Sequence, residues 1–262
     1  MRFSFDRLRA SYYLISLGTV AVVLGGWALI AHLEVVPELF VPRPSSVWRA
    51  FREVSSTGYR GGTLVYHLLG SMNRVAVGYS LAVVSAIPLG LLMGQSRKIQ
   101  ALLDPIIEFY RPLPPLAYYT LLIVWLGIGD ESKIALLYLA AFPPLSINAM
   151  AAVKSVNNER IESALSLGAS RGQVFRRVIF PSCLPQIFTG LRVSIGFTYT
   201  TLVSSEIVAA ANGIGWMVLD AGRFLRTDII FVAIIVMGLT GLALDGLIRA
   251  AEARFVPWKG YE

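Results

Sequence analysis

Charged side chains are rare inside the apolar stretches of this chain, so those that occur there call for a chemical account. Glu206 is the clearest case. It is enclosed by Leu202-Val203-Ser204-Ser205 and Ile207-Val208, with further hydroxyls at Thr198, Thr200 and Thr201. A charge near the centre of a bilayer costs ~2.5–3.5 kcal/mol on insertion scales unless it faces protein or water. This face is therefore expected to point into a helical bundle. Glu108 and Arg111, three apart and on one helical face, run into Pro112, Pro114 and Pro115. Each proline removes a donor and clashes with the preceding turn, so the segment must bend or unwind. Irregular backbone at membrane depth survives where protein or a water-filled cavity satisfies it, and Pro143 and Pro144 predict a second break of this kind. Glu206, Arg111, Glu108, Ser205 and Thr201 are accordingly the candidate lining of a translocation path. Ion pairing within the bundle and contact with a passing solute are both open for Glu206 and Arg111. An anionic or zwitterionic solute is helped by an arginine and hindered by a glutamate, which makes Glu206 a pairing or gating residue rather than a ligand. Arg74 and Arg192, near predicted span ends, are expected to snorkel.

Other chemistries lack their residues. The single cysteine, Cys183, allows no intrachain disulfide and no thiol cluster for a metal. His32 and His67 fall at predicted helix ends and are assigned no role. The chain has no H-E-x2-H group or similar catalytic pattern, and no G-x4-G-K-[ST] phosphate cradle. Catalytic, cofactor and metal residues are all expected to be none. The net charge of +7 does not gather on a polar face as nucleic-acid binding would require.

The elements that position these residues follow from composition: 55% of the 262 residues are hydrophobic and only 15% charged. Six runs reach the roughly 17–25 apolar residues that cross a bilayer: Tyr12 to Leu33, His67 to Gly94, Leu102 to Ile128, Ser132 to Val153, Pro185 to Ala210 and Asp228 to Ala250. The first reads as an uncleaved span. With both termini cytoplasmic, Lys and Arg of the inner segments outnumber those outside. Between the first two spans, Pro42 and Pro44 with Ser45 as N-cap open a short amphipathic helix whose face is Val47, Ala50, Phe51 and Val54. Gly90 with Gly94, and Gly238 with Gly241, predict close helix packing. The expected organisation is a span and external segment over 1–66, a membrane domain over 67–250, and a tail over 251–262.

The longest inner segment, 154–184, predicts two short helices joined by a sharp bend. Asn158 caps the first, Gly168 closes it in the left-handed conformation, Ser170 with Gln173 makes a capping box, and Pro181 ends the second. Among otherwise short inner loops, such a folded element looks made to meet a cytoplasmic partner; the plainer alternative is a connector helix resting on the bilayer. Glu162, Ser163, Ala164, Gly168, Val178, Phe180 and Pro181 resemble the E-A-A-x3-G-x9-I-x-L-P pattern of permeases of binding-protein-dependent ABC importers, with Ser163, Val178 and Phe180 as departures. A narrower resemblance, carried by Leu103 through Tyr118, Gly127-Ile128-Gly129, Ser132-Lys133-Ile134 and Ser166 through Ser170, is to the nitrate, sulfonate and taurine group. The ending Val256-Pro257-Trp258-Lys259-Gly260 is similar to taurine permeases.

The resemblance implies an all-α membrane protein of the type I (MetI-like) permease fold, with a coupling helix bearing Glu162, Ser163, Ala164, Leu167, Gly168 and Pro181. It implies a second copy of the chain, two ATP-binding cassette subunits that hold ATP and Mg, and a periplasmic or extracellular solute-binding protein. The expected setting is lipid, in the bacterial cytoplasmic (inner) membrane. Taurine is the expected solute, with aliphatic sulfonate, nitrate, bicarbonate or pyrimidine as alternatives. A secondary transporter is the reading from another class, though it should show an internal repeat.

Overall fold

Long apolar runs without a water-facing stripe fold as helices because only a helix satisfies its own backbone in lipid. A computed structural model of the chain describes residues 2–259, with side chains from residue 14 onward. Gly260 and the side chains of Arg2, Arg7, Arg9 and Tyr12 lie outside the described residues. In order, the elements are α1 (Arg2–His32), α2 (Pro44–Ser56), α3 (Leu64–Gln95), α4 (Arg97–Tyr110), α5 (Pro115–Leu126), α6 (Asp130–Lys154), α7 (Asn158–Ser166), α8 (Arg171–Val174), α9 (Phe180–Ala209), α10 (Ile214–Arg223) and α11 (Thr227–Phe255), with a π-helical turn at Phe175–Ile179 joining α8 to α9. The described residues contain five helices long and apolar enough to cross a membrane. The expected third span is divided instead. Its proline turn separates α4 from α5, and twelve residues of α5 reach only about 18 Å against a hydrocarbon core of ~30 Å.

The chain forms two compact units, one holding the residues up to Leu64 with Met217–Ile235, the other holding Val65–Trp216 with the chain from Val236 onward. In the first, α2 starts two residues earlier than the serine cap predicts, because Pro44 supplies the fixed φ suited to a first helical position and Arg43 becomes the N-cap. Val47, Ala50 and Val54 are buried, while Trp48 stays exposed and stacks on Phe51. Arg226 donates to Glu53 at 2.8 Å and to Asp228 at 3.0 Å, fixing α2 to the turn before α11. Tyr59 donates to Asp220 at 2.8 Å, and burial beside that carboxylate pushes its phenol up to about 12.

The second unit is built on α6, which packs along α9. Leu91, Ala149, Ala152, Val153, Cys183 and Ile187 form one apolar cluster among α3, α6 and α9, and Val75, Leu137, Ile195 and Leu202 another. The approach of α3 to α6 needs glycine. A Cβ at Gly90 would sit 2.8 Å from that of Ala149, and one at Gly94 would be 3.0 Å from the Met150 carbonyl. Gly238, by contrast, has nothing within 4 Å and makes no close contact. The break predicted at Pro143 and Pro144 does not occur: α6 runs through both, packed against α3 and α9, and Ser146 and Asn148 donate to the two proline carbonyls at 3.1 and 2.7 Å.

At the end of this unit farthest from α7 lies a buried ionic cluster. Glu206 accepts from Ser71 and Arg74, both at 2.7 Å, and from the Gly215 amide at 2.8 Å. Arg74, 2% exposed, also donates to Asp130 at 2.8 Å, to the Asn212 carbonyl at 3.1 Å and to the Asn212 side chain. It does not snorkel; the carboxylates around it make burial the cheaper arrangement. Gly213, at φ +118°, turns the 210–213 connection beneath Glu206, where a Cβ would lie 2.5 Å from the carboxyl carbon. His67 is also buried, accepting from the Gly213 amide at 3.2 Å and stacking on Trp216, a packing role that its position in the sequence did not reveal.

Two expectations follow. Glu206→Ala removes the fully buried countercharge of Arg74 and should cost about 3–5 kcal/mol, with Glu206→Gln intermediate, measured as the temperature at which the detergent-solubilised protein loses monodispersity. Gly90→Ala should cost about 1–3 kcal/mol by overpacking, whereas Gly238→Ala should be neutral or slightly stabilising in the same assay.

Candidate functional site

Local chemistry shapes the segment after α6. The N-cap of α7 is Asn157, whose side chain accepts from the Glu159 amide at 2.8 Å; the sequence suggested its neighbour Asn158, which becomes the first helical residue. The helix closes in a Schellman arrangement, with Ala169 N–H donating to the Ala164 carbonyl at 3.1 Å and Gly168 N–H to that of Leu165 at 2.9 Å. Gly168 holds the left-handed φ of +85° that this closure requires. Ser170 and Gln173 then cap α8 reciprocally. The small Ala164 and the Gly168 of the sequence pattern thus form one stop signal.

Pro181 does not end a helix. The chain runs without interruption from Arg171 to Ala209, and Pro181 is tolerated because the π turn at Phe175–Ile179 precedes it. A wide turn shifts the hydrogen-bond register by one residue, so the amide that proline lacks is not demanded there. Pro181 is half-buried, Glu162 and Ser163 face outward, and Leu167 is 88% exposed. No side chain of α7 is buried.

The candidate path residues separate into two places. Arg111 and Thr201 line a cleft of about 450 Å³ formed by the α4–α5 turn, the middle of α6 and the middle of α9. Glu108 lies beside the cleft, exposed, 3.4 Å from Arg111. Glu206 and Ser205 are elsewhere: Glu206 belongs to the ionic cluster, and Ser205 is buried, bonding back to the Leu202 carbonyl at 2.8 Å. The sequence grouped all five because they share helical faces, but α9 carries Thr201 to the cleft and Glu206 beyond it. Two further residues were missed. Asp245 pairs with Arg192 at 2.8 Å and with Arg249 at 2.6 Å, so Arg192 is tied to α11 rather than snorkelling freely. Lys133 donates to the carbonyls of Ile128 and Gly129 at 2.8 and 2.9 Å, holding the α5–α6 turn. An ionisable residue inside a predicted span, one position from its start for Lys133 and five from its end for Asp245, was the available signal for both.

Comparison with known proteins places this architecture. Residues 86–257 match the family described as binding-protein-dependent transport system inner membrane component. The chain is 44% identical to the taurine transport system permease protein TauC of Escherichia coli, covering 94% of this chain and 90% of that one. It is 33% identical to a protein described as an aliphatic sulfonates transport permease, SsuC of Bacillus subtilis (91% and 85% covered), and 35% identical to the nitrate import permease protein NrtB of Synechocystis (75% and 73%). Among solved structures, the inward-facing MetNI methionine ABC transporter shares the fold at a TM-score of 0.58 and 20% identity, covering 71% of this chain and 95% of that one. The chain is therefore all-α with the MetI-like permease fold. It is a multi-pass inner-membrane transport subunit and not an enzyme, and ATP hydrolysis falls to a separate ATPase subunit. The family match over residues 86–257 and the identities to curated permeases show the same thing: the chain is a member of the binding-protein-dependent ABC importer permease family.

Proposed function

We propose that this permease imports taurine or a closely related sulfonate, working as a pair of identical chains with two ATP-binding cassette subunits on the cytoplasmic side. A solute-binding protein delivers the solute from outside, and both termini are cytoplasmic. ATP and Mg are held by the cassette subunits. The observation that carries the mechanical part is α7 itself: it is capped at both ends, buries none of its side chains and holds Leu167 88% exposed at its C-cap, so its surface is open to a partner. Small residues at Ser163 and Ala164 let that surface approach closely. Closure of the cassettes would press on α7, and the π turn would pass the displacement into α9 as a rigid-body movement.

The taurine assignment is supported by the 44% identity to TauC over nearly the whole of both chains. Aliphatic sulfonate and nitrate are the next readings, since relatives so described match at 33% and 35%. Family membership leaves the ion-driven carrier without support.

Leu167→Asp tests the coupling role. The residue touches little of its own chain, so stability should change by less than about 0.5 kcal/mol. Association with the cassette subunit in detergent should weaken about tenfold or more, and ATP-dependent uptake should fall with it; unchanged co-elution and uptake would refute the lever. The solute is tested in proteoliposomes holding the permease, its cassette subunit and its binding protein. Labelled taurine should accumulate on ATP addition, and accumulation of nitrate instead would redirect the assignment.

A further inference from the structure

Three polar features meet at the cleft between the α4–α5 turn, α6 and α9, and helix packing explains none of them. The hydroxyl of Tyr110, which lines the cleft, is buried and has no hydrogen-bond partner among the described residues. A buried hydroxyl in that condition carries its full desolvation penalty, and native proteins retain few. Pro143 and Pro144 have no amide hydrogens, so the carbonyls of Leu139 and Ala140 lose the donors that a regular helix aims at them. Both of these residues line the same cleft. Arg111 lines it too, its guanidinium held among the described residues by a long 3.4 Å contact to the exposed Glu108.

The cleft thus offers a cation on one element, and adjacent carbonyl acceptors with a hydroxyl on others. Pro143 and Pro144 stand near the midpoint of the 25-residue α6, so these acceptors lie near the middle of a helix long and apolar enough to cross a membrane. A matching solute carries an oxyanion for the guanidinium and a hydrogen-donating cation for the carbonyls. The cleft volume of about 450 Å³ lies within the roughly 300–1,000 Å³ of small-molecule sites. We propose that the permease itself holds a transient site for a small aminosulfonate zwitterion. Arg111 takes the sulfonate, and the Leu139 and Ala140 carbonyls with the Tyr110 hydroxyl take the ammonium. This rests on the sulfonate reading above and sharpens it, because a site of this kind selects against solutes without an ammonium group.

The test is binding of labelled taurine to the permease–cassette complex in nanodiscs without the binding protein, with ethanesulfonate as the ammonium-free competitor. Wild type should bind taurine at least about tenfold more tightly than ethanesulfonate. Tyr110→Phe should weaken taurine binding about tenfold while thermal stability stays level or rises, since the hydroxyl has no protein partner to lose. A merely structural tyrosine would not give that combination. Arg111→Gln should weaken both solutes, with partial recovery in Arg111→Lys, and Pro143→Ala with Pro144→Ala, which restores the amides, should erase the preference for taurine. Equal binding of the two solutes by wild type, or of taurine by wild type and Tyr110→Phe, would overturn the site. If the complete transporter then still imports taurine, only the cleft assignment falls. If it imports no sulfonate, the functional reading falls with it.

Discussion

A carboxylate carried deep into a membrane bundle must bring its countercharge with it, and Glu206 brings Arg74. Coulomb attraction alone does not repay the dehydration of two ions. Here the remaining lone pairs are met as well: Ser71 and the Gly215 amide complete the carboxylate, and Asp130 and Asn212 complete the guanidinium. The partners come from α3, the start of α6, the 210–213 connection and the start of α10. One satisfied pair therefore joins the ends of several elements of the second unit, and a helix crossing there cannot slide without exposing a charge.

The opposite end of the same unit is built on different terms. α7 buries no side chain and is defined by its caps, with Asn157 at one end and the Schellman closure at Gly168 at the other. Caps fix the shape of a helix without fixing its neighbours. In the proposed role that contrast is useful: the helix is stiff enough to transmit a push, yet loosely enough docked to move. The 30 residues of α9, about 45 Å long, separate the capped helix from the ionic cluster. The Arg192–Asp245–Arg249 group ties α9 to α11 along the way.

What the sequence made legible is local. The capping box at Ser170 and Gln173, the left-handed Gly168, the proline break after Tyr110 and the apolar face of α2 all follow from residues within a few positions of one another, where backbone sterics and helix periodicity decide. What it hid is long-range. Arg74 and Glu206 are 132 positions apart, so nothing in the pattern around either named the other. The snorkelling expected for Arg74 and Arg192 failed for the same reason, since the carboxylate that buries the first and ties down the second lies on another helix. Glu206 and Thr201, neighbours in sequence, proved to serve separate places because one turn of helix is enough to leave the cleft.

The prolines show where local rules stop sufficing. Pro112, Pro114 and Pro115 end a helix, whereas Pro143 with Pro144 and the lone Pro181 do not. The intrinsic cost per residue is the same; the difference is what surrounds the backbone. At 111–114 the chain is exposed and free to turn. Around Pro143 it is held by packing with α3 and α9 and by the side chains of Ser146 and Asn148, while at Pro181 a π turn absorbs the missing amide. A proline held inside a membrane helix thus leaves acceptors behind without ending the helix. In a transport protein such acceptors are polar surface that costs no side-chain entropy to order, placed where a solute shedding its water would need them.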